Sequence, residues 1–195
     1  YAVDIYKNII VVSAVYDDDL GEDTGSVYVY RLENDIWGFE TKLYSEYASE
    51  GDFFGICISV AEDVIGVSAI YDENIGSVSI FRYDQFWTEV QRIIPEDGEE
   101  YDLFGSSIDL NDNLLAIGSF HDDNLYNNSG SIYIYELDLE ELYNPLLKIS
   151  PFDESMNDNF GQSVSIYENY VAVGSNNDDN GINSGSVYIY EIYSD

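Results

Sequence analysis

Basic residues are nearly absent from this chain. Its 195 residues hold 6 Lys and Arg against 39 Asp and Glu, a formal net charge of -33. Phosphate binding needs clustered Lys and Arg, so such a polyanion excludes nucleic acid and anionic lipid as partners and attracts cations instead. Cysteine occurs once, at Cys57, so no disulfide can form within the chain, which leaves the compartment open. No window of 18 apolar residues exists, so no membrane span is expected. The single histidine, His121, joins no Ser-His-Asp set, no histidine cluster and no phosphate loop, so no catalytic residues are assigned. Helical periodicity is missing, although Leu137 to Leu142 has room for one helical turn. A chain opening on Tyr1 rather than Met, with no signal-type segment, is expected to be processed or part of a longer one.

Hydrophobic residues are plentiful. They make up 45% of the chain and aromatics 15%, which separates it from disordered acidic chains and predicts a folded domain with an acidic surface. One segment recurs four times: Gly25-Ser26-Val27-Tyr28-Val29-Tyr30, Gly76-Ser77-Val78-Ser79-Ile80-Phe81, Gly130-Ser131-Ile132-Tyr133-Ile134-Tyr135 and Gly185-Ser186-Val187-Tyr188-Ile189-Tyr190. The spacings of 51, 54 and 55 residues imply a supersecondary unit stacked on its own copies. The units are placed at 1–47, 48–98, 99–154 and 155–195, the last incomplete.

Each unit reads as four short strands. The first follows a Phe-Gly pair, giving Ile56 to Val60, Ser106 to Leu110 and Gln162 to Ile166, with Tyr1 to Ile5 in the matching place. The second is apolar and ends on a small residue: Ile9 to Ala14, Val64 to Ala69, Leu114 to Ser119 and Tyr170 to Ser175. The Gly-Ser segment is the third, and Trp37 to Leu43, Trp87 to Ile94 and Tyr143 to Ile149 are the fourth. Fifteen strands are expected. Third strands alternate aliphatic with aromatic rather than apolar with polar, so both faces of each sheet should be covered. Stacked four-stranded blades of a β-propeller meet that demand.

Phe-Gly, a strand, a Gly-Ala-like ending, Asp-Asp and Ser-Gly-Ser-Val-Tyr, in that order, resemble the FG-GAP repeat over nearly the whole chain. The resemblance implies an all-β fold of four-stranded antiparallel blades like those of the integrin α-subunit propeller, here part of a larger propeller or an assembly. It also implies an extracellular or cell-surface setting. The Gly-Ala-Pro signature is reduced to Ser13-Ala14, Ser68-Ala69, Gly118-Ser119 and Gly174-Ser175, with no proline in any copy. Calcium-binding integrin repeats carry an Asp-x-Asp-x-Asp-Gly loop between the first two strands. The turns here are Tyr6-Lys7-Asn8, Ala61-Glu62-Asp63, Asn111-Asp112-Asn113 and Tyr167-Glu168-Asn169, so that site does not carry over.

An acidic loop after each second strand is the candidate site. Asp17-Asp18-Asp19, Asp122-Asp123-Asn124 and Asp178-Asp179-Asn180 are the candidate calcium ligands, with Asp72-Glu73-Asn74 in a shorter loop as the poorest of the four. Calcium takes six to eight hard oxygens, and these loops supply some. Equally, Asp and Asn hydrogen-bond their own loop backbone. Both readings stand at this point. Asp52, Asp102 and Asp158, two residues before each Phe, are expected to tie the turn leading into the first strand. Lys42, Arg92 and Lys148 align on the fourth strands, and Arg31 with Arg82 after the third, which predicts local pairing with acids. Asn127-Asn128-Ser129 is a glycosylation sequon at Asn127. The favoured function is a non-enzymatic extracellular structural or adhesion module whose partners are other protein chains, either copies of itself or the rest of a longer parent chain. The alternatives are a glycan- or protein-binding propeller and a propeller-scaffold hydrolase or lyase.

Overall fold

The structure is a computed structural model and describes residues 1–123, 126–153, 155–177 and 184–193. Its strands form four antiparallel meanders. The first sheet holds β1 (Val3–Tyr6), β2 (Ile9–Ala14), β3 (Ser26–Glu33) and β4 (Ile36–Leu43). The second holds β5 (Ile58–Ala61), β6 (Val64–Ala69), β7 (Ser77–Asp84) and β8 (Phe86–Ile93). The third holds β9 (Ser107–Leu110), β10 (Leu114–Ser119), β11 (Ser131–Leu137) and β12 (Tyr143–Ile149). The fourth holds β13 (Phe160–Tyr167), β14 (Tyr170–Ser175) and β15 (Ser186–Glu191). One 3-10 turn, Asp72–Asn74, is the only helical element among the described residues. The segment with room for a helical turn instead closes a hairpin: β11 runs through Leu137, and Asp138 accepts bonds from the Glu140 and Leu142 amides. An Asp that ties its own turn favours that over a helix.

The sheets stack as propeller blades. First strands of successive blades touch, β1 on β5, β5 on β9 and β9 on β13. The alternation in the third strands sets the stacking order. Val27 and Val29 pack with Ile65, Val67 and Phe81 of the second blade. Val78 and Ile80 pack with Leu115, Tyr133 and Tyr135 of the third. Ile132 and Ile134 pack with Val171 and Val173, with Tyr188 and Tyr190 against the same cluster. Aliphatic residues thus look to the following blade and aromatics to the preceding one. Burying each such side chain contributes about 1.5–3 kcal/mol.

Two backbone devices lock each junction. The amides of Phe54, Phe104 and Phe160 donate to the carbonyls of Thr24, Ile75 and Ser129 in the preceding blade, at 3.0, 2.9 and 3.0 Å. Gly25, Gly76 and Gly130 lie at this crossing with positive φ, and any Cβ there would collide with the Phe carbonyl. The residues just before the Phe, namely Phe53, Leu103 and Asn159, are also left-handed, at φ of 54, 58 and 55°. Along the inner strands, Asp4 accepts from the Val60 amide (2.7 Å), Ser59 from Leu110 (3.2 Å) and Asp109 from Ile166 (2.7 Å).

The second and third blades are covered on both faces. The sheets do not close into a ring. Among the described residues, nothing packs on the first blade on the side of Tyr28, nor on the fourth on the side of Val187. Val3, Ile5, Val187 and Ile189 are accordingly exposed.

Candidate functional site

The acidic loops and the aligned bases meet. In the first blade, Lys42 Nζ lies 2.6 Å from Asp17 Oδ2 and 2.7 Å from Asp19 Oδ2, and over the rings of Tyr28 and Tyr44. In the second, Arg92 Nη2 lies 2.6 Å from Asp72 Oδ2 and 3.2 Å from Glu73, with its guanidinium over Tyr47. In the third, Lys148 Nζ lies 2.6 Å from Asp97 and 2.7 Å from Asp122, over Tyr133. The Tyr133 hydroxyl lies within hydrogen-bond distance of both carboxylates, at 3.0 and 2.9 Å, so they share its single proton.

Cross-strand register produces this arrangement. Lys42 stands opposite Tyr28, Arg92 opposite Ser79 and Lys148 opposite Tyr133. Each base therefore projects from the fourth strand across the third and meets the loop between the second and third. Burial raises the Asp17 carboxyl, but the Lys42 hydrogen bond and charge, with bonds from the Asp19 amide and Ser26, together hold it below the usual carboxylate range. Burial likewise opposes the Lys42 ammonium, yet Asp17 and Asp19 raise it well above an ordinary lysine. The same contest leaves Asp97 lowered, by Lys148 and Tyr133 against burial.

The structure thus unites Asp17 with Asp19, and sets Asp122 beside Asp97, each pair on an internal ammonium. Asp18 and Asp123 stay outside those pairs. They are exposed and accept from the Asp23 and Asn128 amides, at 2.8 and 2.6 Å. Asn124, Asp178, Asp179 and Asn180 lie outside the described residues. Among the described residues, no group of three or more His, Cys, Asp or Glu is placed to hold a metal ion. For Asp17 or Asp122 to ligate calcium, the carboxylate would have to release its ammonium. Asn127 is exposed in its loop, where its carbonyl accepts from Asn157, while Ser129 of the sequon is buried.

All six bases are paired, as local pairing predicts. Arg31 makes a bidentate contact with Glu40 (3.0 and 3.0 Å), Arg82 meets Asp63 and Glu141, and Lys7 meets Glu62 at the surface. Asp52, Asp102 and Asp158 tie their turns as expected, accepting from the amides of Ser49, Glu99 and Ser155 at 2.7, 2.8 and 2.6 Å. Burial, then the neighbouring Asp122 and Asp123, push Asp102 up to about 6. Burial also pushes the Cys57 thiol up to about 11, which makes it a poor nucleophile. His121 stacks edge-on against Phe120.

Two features escaped the sequence reading. The inner-strand row Asp4, Ser59, Asp109 and Ser165 is polar in every repeat, a signal visible on aligning the copies. The residue five positions after a fourth-strand base, Tyr47 after Lys42 and Asp97 after Arg92, receives the base of the next blade.

The family model described as FG-GAP repeat matches residues 1–30, 37–81, 87–135 and 146–190, most of the chain. No curated protein matches it.

Proposed function

The chain belongs to the FG-GAP repeat family, and on that premise we propose that it is a non-enzymatic structural or adhesion module of the cell exterior that assembles with other protein surfaces. One observation carries this reading. The outward faces of the first and fourth blades are the two halves of the junction found three times inside. Tyr28, Tyr30 and Phe39 form the aromatic half, and Val187 with Ile189 the aliphatic half. Trp37 is 40% exposed, whereas its counterparts Trp87 and Tyr143 are buried against a preceding blade. A neighbour built like these blades, whether a second copy or further repeats, fits either face.

The non-catalytic reading is supported by how the carboxylates are spent. The same loop acid is held by a base in three blades, which is a structural use repeated rather than a site made once. Calcium, in this reading, acts weakly through general screening of the acidic surface, because internal cations already hold the leading carboxylates. No helix among the described residues is long and apolar enough to cross a membrane.

Sedimentation of the 195-residue chain tests the reading, beside a Val187→Glu, Ile189→Glu variant. We expect concentration-dependent association that the variant loses while keeping its circular dichroism and melting point. A stable monomer at all concentrations, with both exposed faces open to hydrogen exchange, would sink it.

A further inference from the structure

A cleft of about 430 Å³ runs between the outer strands of the second and third blades. Both walls belong to complete four-stranded blades, and the size suits a small molecule. β8 and the chain leaving it contribute Ile94, Glu96 and Asp97, and the third blade contributes Tyr135, Pro145 and Leu147.

The junction of the first and second blades shows what the same place holds there. Glu89 stands opposite Phe81. Its carboxyl reaches back to the first blade and accepts from the Glu46 amide at 2.7 Å. In the third blade, register puts Pro145 opposite Tyr135, at the position of Glu89. Glu96, four residues after Arg92, takes the place of Glu46, four after Lys42. A proline ring cannot accept that bond, and the Glu96 amide donates to no group among the described residues. Tyr135 adds a second unmatched group. It is 5% exposed, yet its hydroxyl makes no hydrogen bond among the described residues and opens on the cleft. A buried hydroxyl left unmatched is costly. Phe81, buried at the same repeat position, shows that packing there needs no hydroxyl.

Two free donors therefore line the space that a carboxyl fills in the sister junction. Burial, then the charges of Asp97 and Glu96, push the pKa of the Tyr135 hydroxyl up, so it stays protonated. Those two carboxylates repel an anion, and unmatched donors offer nothing to a cation. An uncharged acceptor meets the donors without either penalty. The exposed Glu96 carboxylate accepts from hydroxyls, while Ile94, Pro145 and Leu147 offer an apolar wall to a C–H face.

We propose that this cleft binds a neutral saccharide unit, its hydroxyls accepting from Tyr135 and the Glu96 amide and donating to the Glu96 carboxylate. The site is made once, where Pro145 breaks the repeat pattern. It goes beyond the assembly reading and does not depend on it.

The probes are glucose, galactose, mannose and N-acetylglucosamine, with glucuronate and glucosamine as charged counterparts. Amide NMR spectra of the full chain are read at Glu96. At least one neutral probe is expected to shift that amide saturably and to bind more tightly than either charged one. Tyr135→Phe should weaken binding ~5-fold while keeping the parent melting point, since Phe81 serves the same position in the sister junction. Pro145→Glu supplies the carboxyl that Glu89 supplies, and should close the cleft and abolish the shift. The proposal is overturned by the absence of a saturable shift with every neutral probe, by tighter binding of a charged one, or by unchanged binding in Tyr135→Phe. A lowered melting point in that variant would also overturn it, because the hydroxyl would then have a structural role. Sedimentation reads the blade faces and these spectra read the cleft, so either reading can fail without the other.

Discussion

The second and third blades differ from the first and fourth in burial far more than in sequence. β6 reads VIGVSA and β10 reads LLAIGS, and all six residues of each are buried. β2 reads IIVVSA, yet every second residue is only half-buried, and β14, YVAVGS, alternates in the same way. Strand chemistry is therefore set for a stack rather than for the surroundings each strand meets in this chain. The repeat specifies two half-junctions, one per face. An inner blade uses both and a terminal blade uses one.

The sharpest way to break this comparison is to truncate matched aromatics. Phe104→Ala empties a fully buried site between the second and third blades, and a loss of about 3–5 kcal/mol is expected in urea unfolding. Phe39→Ala on the open face of the first blade should cost under about 0.5 kcal/mol in dilute solution. Equal losses would show that the terminal face is covered in solution.

A smaller effect separates the ion pairs. Arg92→Met strands the buried Asp72 carboxylate and should cost about 3 kcal/mol, whereas Lys7→Met removes a fully exposed pair and should leave the melting point unchanged. Thermal melts of the two variants read the difference directly.

The junction before the third blade should also respond to pH. Asp102 is raised to about 6 in the folded protein, above its unfolded value, so its ionised form destabilises. That penalty is complete above pH 6 and is relieved as pH falls toward 4. Asp102→Asn keeps an acceptor for the Glu99 amide. It should gain about 1–2 kcal/mol at neutral pH and lose the advantage near pH 4. The lowered Asp17, Asp19 and Asp97 act in the opposite sense. Their contribution is present above their unfolded values and is lost in stronger acid. A flat difference between Asn and Asp across that range would remove Asp102 as its source.

The smallest expected effect concerns calcium. Lys42→Met leaves Asp17 and Asp19 adjacent without their ammonium. Millimolar calcium should then stabilise the variant by about 1 kcal/mol more than it does the parent chain. Equal calcium responses would mean that Lys42 does not occupy the position an ion would take.

Much of this fold was legible in the residues. The second strands match to the residue, because an apolar run bounded by polar turns leaves no freedom at its ends. The first strands were less sharply readable. The fourth-blade strand begins at Phe160, two residues before the place the Phe-Gly rule gives, because backbone pairing across the turn extends the ladder. The acidic loops were visible, but their occupants were not. Lys42 lies 25 residues from Asp17 and Arg92 lies 20 from Asp72, so only strand register brings them together.

The inner-strand bonds run one way. Asp4 reaches forward to Val60, Ser59 to Leu110 and Asp109 to Ile166, and each blade receives from behind what it gives ahead. Such a unit is self-matching. Tandem duplication of its coding segment creates a new boundary identical to the old ones, with no mutation needed to make the surfaces agree. Deletion of a whole unit rejoins the same two surfaces. Gains and losses of about one repeat length should therefore be tolerated among chains of this design, while a change of half a repeat places two like faces against each other.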